Sequence, residues 1–114
     1  MRKSRSVPMA AAVAALAWQL VQASGAAAQD FGDARLGEAY AATVCAACHA
    51  VRAGETVSPR QRVATFDTIA NTPGMTGTAL AAWLQTSHRE MPNLIIALAD
   101  RDNLIAYILS LKAR

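Results

Sequence analysis

The chain's two cysteines both fall in one pentapeptide, Cys45-Ala46-Ala47-Cys48-His49. A disulfide is the default for two cysteines in an exported chain, but a bridge between Cys45 and Cys48 would close a very small loop and constrain the unfolded chain little. Disulfide scaffolds of this size normally use several bridges. A thioredoxin-like dithiol shares the spacing but needs a βαβ setting, and the segments on either side of this motif read as helix and loop. A zinc site needs four ligands, and His88 with a carboxylate could complete Cys45, Cys48 and His49 only by an unusual arrangement. The pattern therefore predicts a short helical chain organised around something other than a disulfide.

Export is read from the first residues. Arg2, Lys3 and Arg5 precede an uncharged run from Val7 to Leu20, which leads into the small residues Ala23 to Ala28. The run is about 14 residues, short of the roughly 20 that a stable membrane anchor needs. Residues 1–28 are therefore expected to be a signal peptide, cleaved after Ala28 at Ala26-Ala27-Ala28. Trp18, Leu20 and Val21 would extend a retained anchor, while Gln19, Gln22 and Ser24 count against one. No paired arginines occur before the run, which favours export as an unfolded chain with any cofactor added outside.

Cleavage changes the charge argument. Three of the 11 basic residues precede Gln29, and the eight that remain face all eight acidic ones. The basic balance of the full chain then says nothing about nucleic acid, and neither a basic stripe nor interleaved aromatics is present, so nucleic-acid binding is not expected. Residues 29–114 form one domain, near the size at which side chains alone give a marginal core. A large buried apolar group would relieve that shortfall.

Hydrophobic periodicity predicts an all-α chain of three to four helices and loops. The first helix is expected from about Asp33, as N-cap, to Ala47, with Leu36, Tyr40 and Val44 on one face and Gly37 and Ala41 forming a flat strip beside it. A glycine in mid-helix costs about 1 kcal/mol, which close approach of another helix there would offset. Val51 to Pro73 carries Gly54, Ser58, Pro59, Thr72 and Pro73 and reads as loop with one helical turn near Phe66 to Ile69. A helix from about Thr78, as N-cap, to Thr86 is expected to bury Leu80, Trp83 and Leu84. The last helix is expected to start after Asp100, to present Leu104, Ile105, Ile108 and Leu111 on one stripe, and to pair with the first.

The pentapeptide has the spacing of covalent haem attachment. Two thiols add across the two vinyl groups, the intervening residues set the distance between the thioethers, and the adjacent imidazole reaches the iron. Ala46 and Ala47 are small enough to lie against the macrocycle edge. One haem c per chain is the expected cofactor, bound by Cys45, Cys48 and His49.

Over nearly its full mature length the chain resembles the small bacterial class I cytochromes c. The resemblance rests on Gly37 and Tyr40 ahead of the pentapeptide, Met91-Pro92 downstream, and Leu104-Ile105-Ala106-Tyr107-Ile108 in the last helix. It implies the cytochrome c fold around one haem, with the first and last helices crossing at Gly37 and Tyr107. It also implies a methionine sulfur as second axial ligand, and Met91 is the candidate. Pro92 biases Met91 toward extended backbone, and thioether ligation raises the reduction potential. His88, Met75 or an open position remain alternatives. Family resemblance further suggests the Pro59 carbonyl as the acceptor of His49's second ring N–H. Phe66 and Trp83 are expected to pack against the porphyrin, and Arg60, Arg62 and Arg89 either pair with a propionate or stand as solvated charge.

These expectations describe a periplasmic electron carrier, monomeric, that performs no bond chemistry and meets redox proteins weakly at an exposed haem edge near Ala46, Ala47, Pro92 and Asn93. No stable membrane insertion is expected once residues 1–28 are removed. A haem sensor or enzyme with an open sixth position, and a dedicated cytochrome subunit of a periplasmic dehydrogenase, are the rival readings.

Overall fold

The computed structural model describes residues 31–89 and 91–114. The expected signal peptide and the cleavage after Ala28 lie outside the described residues. Within them the secondary structure is helical, with no strand.

Helix α1, Ala34–Tyr40, begins where Asp33, in extended backbone, accepts the Arg35 N–H at 2.8 Å and so satisfies one of the first-turn donors. Helix α2 is short, Phe66–Ala70, capped by the Thr65 hydroxyl accepting the Thr68 N–H at 3.1 Å. It matches the helical turn expected near Phe66. Helix α3, Gly77–Gln85, starts earlier than the sequence suggested. Thr76 rather than Thr78 is the N-cap, its hydroxyl accepting the Ala79 N–H at 3.1 Å. Helix α4, Leu98–Ser110, also starts early and takes Asp100 into its first turn, where a carboxylate complements the exposed N–H groups.

The core lies between α4 and the rest. Leu104, Ile105, Tyr107 and Ile108 of α4 pack with Ala41, Val51, Phe66, Ala70 and Leu80. Helix α1 makes the most extensive contact with α4, and α2 and α3 add smaller ones. Gly37 makes the crossing possible. A Cβ there would stand 2.8 Å from the Tyr107 Cβ and closer still to the Asn103 carbonyl. The strip of Gly37 and Ala41 is buried as the sequence implied, whereas Leu36, on the face written with larger residues, is 56% exposed. The smaller face wins because only it allows the two backbones to touch.

Trp83 departs from expectation in the same way. It is 54% exposed and sets its ring edge-on to His88, with centroids 5.5 Å apart, while Leu80 is buried and Leu84 partly buried.

Candidate functional site

The site grows out of the end of α1. From Ala41 to Cys45 the helix widens into a π-turn, in which the Ala46 N–H reaches back to the Ala41 carbonyl at 3.0 Å. Such single-turn widenings re-aim the residues that follow. The Cys45 carbonyl then accepts two N–H groups, from Cys48 at 3.1 Å and His49 at 3.0 Å. That double acceptance folds the pentapeptide into one tight turn, which carries Cys45, Cys48 and His49.

The chain leaves the turn as a strap, residues 49–51. The Ala50 N–H donates to the Ser58 hydroxyl at 3.0 Å, the Ala50 carbonyl accepts the Phe66 N–H at 2.9 Å, and the Cys48 carbonyl accepts the Arg60 N–H at 3.3 Å. These bonds fold the loop after the strap back beside it. Arg62, in the left-handed region at φ +65°, turns the chain so that residues 64–66 come alongside.

His49 is half-buried, and its Nδ1 lies 2.7 Å from the Ala64 carbonyl oxygen. A carbonyl only accepts, so Nδ1 carries the proton, and in the neutral imidazole the lone pair then stands at Nε2, the nitrogen that can bind a metal. The acceptor is therefore Ala64, and not Pro59 as the family resemblance suggested. The Phe66 ring stands beside the imidazole, centroids 5.5 Å apart at 56°.

Cys45 and Cys48 are both free thiols, and burial pushes the Cys45 thiol up to about 11. A reactive dithiol or a thiolate metal ligand needs the opposite shift. Among the described residues, no three His, Cys, Asp or Glu side chains gather where they could hold a metal ion.

No family model, curated protein or solved structure matches the chain.

His49 lines a cleft of about 460 Å³ together with Ala46, Val51, Arg52, Val57 and Pro59. Met91 lines a second cleft of about 310 Å³ with Leu84, His88, Pro92, Leu94 and Ile95. His88 and Met91 are thus neighbours, linked also by the Met91 N–H donating to the His88 carbonyl at 3.2 Å. His49 and Met91 are not among the residues of one cleft. His88 resembles His49 in setting Nδ1 near a backbone carbonyl, that of Thr86 at 3.2 Å. Met75 packs against the core.

Apolar side chains stand out on the surface nearby: Val57 beside the first cleft, and Ile95 beside the second, are largely or wholly exposed, as is Leu98 at the start of α4. The Ala64 carbonyl and the bond from the Tyr107 hydroxyl to the Val51 carbonyl were not foreseen. A backbone acceptor leaves no mark in the side-chain sequence. The Thr65 cap, which fixes where Ala64 ends up, does carry a signal: a threonine directly before an apolar turn.

Proposed function

We propose that this chain is a periplasmic electron carrier of the class I cytochrome c kind, holding one haem c covalently. The donor set supports it: two thiols and an imidazole lie on one turn, and the imidazole presents Nε2 because Nδ1 is held by the Ala64 carbonyl. That last bond is the observation that carries the reading, since it gives His49 the tautomer and orientation of a metal ligand. When bound, the haem supplies a one-electron Fe(III)/Fe(II) couple.

In this reading Cys45 and Cys48 would hold the haem through two thioether bonds, and His49 Nε2 would ligate its iron. Ala46 and Ala47, with no bulk beyond Cβ, let the turn lie along the macrocycle edge. The exposed apolar side chains around the two clefts, Val57, Leu94 and Ile95, are the kind of surface an apolar macrocycle covers. Met91 would supply the second iron ligand. With both His49 and Met91 holding the iron, no position would remain for a substrate, which makes the reading a carrier and not an enzyme. Export through residues 1–28 delivers it as a monomer to the periplasm, where it meets donor and acceptor proteins transiently.

A second reading, a haem sensor or enzyme with an open sixth position, is favoured by one observation: Met91 and His49 line different clefts.

The reduced-minus-oxidised visible spectrum of protein purified from the periplasm tests haem, attachment and ligation together. A c-type spectrum that survives acidified organic solvent, and that is lost to extraction when Cys45 and Cys48 are both replaced by Ala, supports the proposal. A protein without the spectrum, or one whose haem extracts freely, overturns it. Carbon monoxide binding by the untouched reduced protein would select the second reading.

A further inference from the structure

Three consecutive residues of the strap each engage a different partner. His49 Nδ1 donates to the Ala64 carbonyl at 2.7 Å, the Ala50 carbonyl accepts the Phe66 N–H at 2.9 Å, and the Val51 carbonyl accepts the Tyr107 hydroxyl at 2.7 Å. The third bond ties the strap to α4. Both its partners are buried, so without the hydroxyl the Val51 carbonyl would lose an acceptor's partner where water does not replace it. Tyr107 reaches the imidazole by a second route as well. Its ring lies 6.4 Å from the Phe66 ring, which in turn lies 5.5 Å from His49.

We infer that Tyr107 is the positioning residue for His49. Its hydroxyl, through Val51, and its ring, through Phe66, hold the imidazole against the Ala64 carbonyl. The inference rests on the proposed function for the meaning of Nε2 as an iron ligand, while the bond to Ala64 stands without it. A firm Nδ1–H···O bond fixes the tautomer and raises electron density at Nε2; a loosened one makes His49 a weaker donor. A helix remote from the pentapeptide in sequence thereby tunes the ligand.

The test uses three variants of the full protein. Tyr107→Phe keeps the ring and removes the hydroxyl bond, Phe66→Leu keeps the bond and removes the ring route, and Ile105→Val weakens the same core without touching either route. Exchange of the His49 Nδ1 proton, followed by nitrogen-labelled NMR, is the primary readout. It is expected to be about tenfold faster in Tyr107→Phe, the order of one lost hydrogen bond, and unchanged in Ile105→Val. The reduction potential of the haem-loaded protein is expected to rise in Tyr107→Phe, because a weaker imidazole donor stabilises ferric iron less. Lower melting temperatures in Tyr107→Phe and Ile105→Val with the His49 proton unmoved in both would overturn the inference and leave Tyr107 a packing residue. Should Tyr107→Phe not fold, Phe66→Leu decides by the same proton, faster exchange supporting the inference and unchanged exchange refuting it. A protein that carries no haem defeats the proposed function, yet the proton still reports on Tyr107.

Discussion

Gly37 of α1 sits directly against Tyr107 of α4, with no room for even one methyl group between the two helices. Gly37→Ala should therefore lower stability by about 2–3 kcal/mol through overpacking, although alanine alone would favour the helix by about 1 kcal/mol. Urea unfolding checks this, with a fall in midpoint at constant slope as the expected form. A more stable variant would mean that the helices can slide apart freely.

Met91 is expected to give the oxidised protein a weak far-red sulfur-to-iron absorption, which Met91→Ala abolishes while lowering the potential and admitting carbon monoxide to ferrous iron. His88→Ala and Met75→Leu are expected to leave the band in place. If His88→Ala opens the site and Met91→Ala does not, His88 is the ligand and the potential is lower than a thioether would give.

Burial of Cys45 sets the reactivity of its thiol. A thiol raised from 9.0 to about 11 holds about a hundredfold less thiolate at neutral pH, so alkylation of Cys45 in the folded haem-free chain should be slow and climb with pH up to that value. Urea should restore the ordinary rate. Rapid labelling of the folded chain at pH 7 would contradict the buried placement.

The pH dependence of α1 runs through Asp33. The Arg35 backbone N–H, chiefly, and the Arg35 guanidinium hold the Asp33 carboxyl below the usual carboxylate range, against the opposing loss of water. A depressed folded pKa contributes stability that is present above the unfolded pKa, ordinarily near 3.8, and lost as the pH falls through the lower folded value. The wild type is thus expected to exceed Asp33→Asn in stability at neutral pH and to converge with it in acid. Equal unfolding midpoints at pH 7 would mean that the charge adds nothing to the cap.

What could be read from residues alone divides along a physical line. The Gly37–Ala41 strip and the stripe of Leu104, Ile105 and Ile108 were legible, because helical spacing puts each set on one face that the structure buries. Trp83 was misread, since periodicity marks a face without saying whether a neighbour covers it. The early start of α3 depended on which of two threonines caps it, a contest of about 1 kcal/mol, whereas α4 starts from Ala97, which makes no side-chain cap bond that could mark the start. The π-turn leaves no signature among Ala41, Ala42, Thr43 and Val44. The Ala64 carbonyl was hidden because its position follows from the whole path of the loop, including the left-handed Arg62, and from no single side chain.

Helices α1, α2 and α3 all find their main partner in α4, which follows them in the chain. A nascent polypeptide therefore has little to close upon until residues 98–110 have emerged, since Leu104, Ile105, Tyr107 and Ile108 are the surface on which the earlier segments assemble. Until then the pentapeptide stays accessible, with neither Phe66 nor Tyr107 anchored around His49. Order of emergence thus opens an interval in which the Cys45 and Cys48 thiols are as accessible as in an unfolded chain, and docking of α4 ends it by fixing the strap through the bond from Tyr107 to Val51.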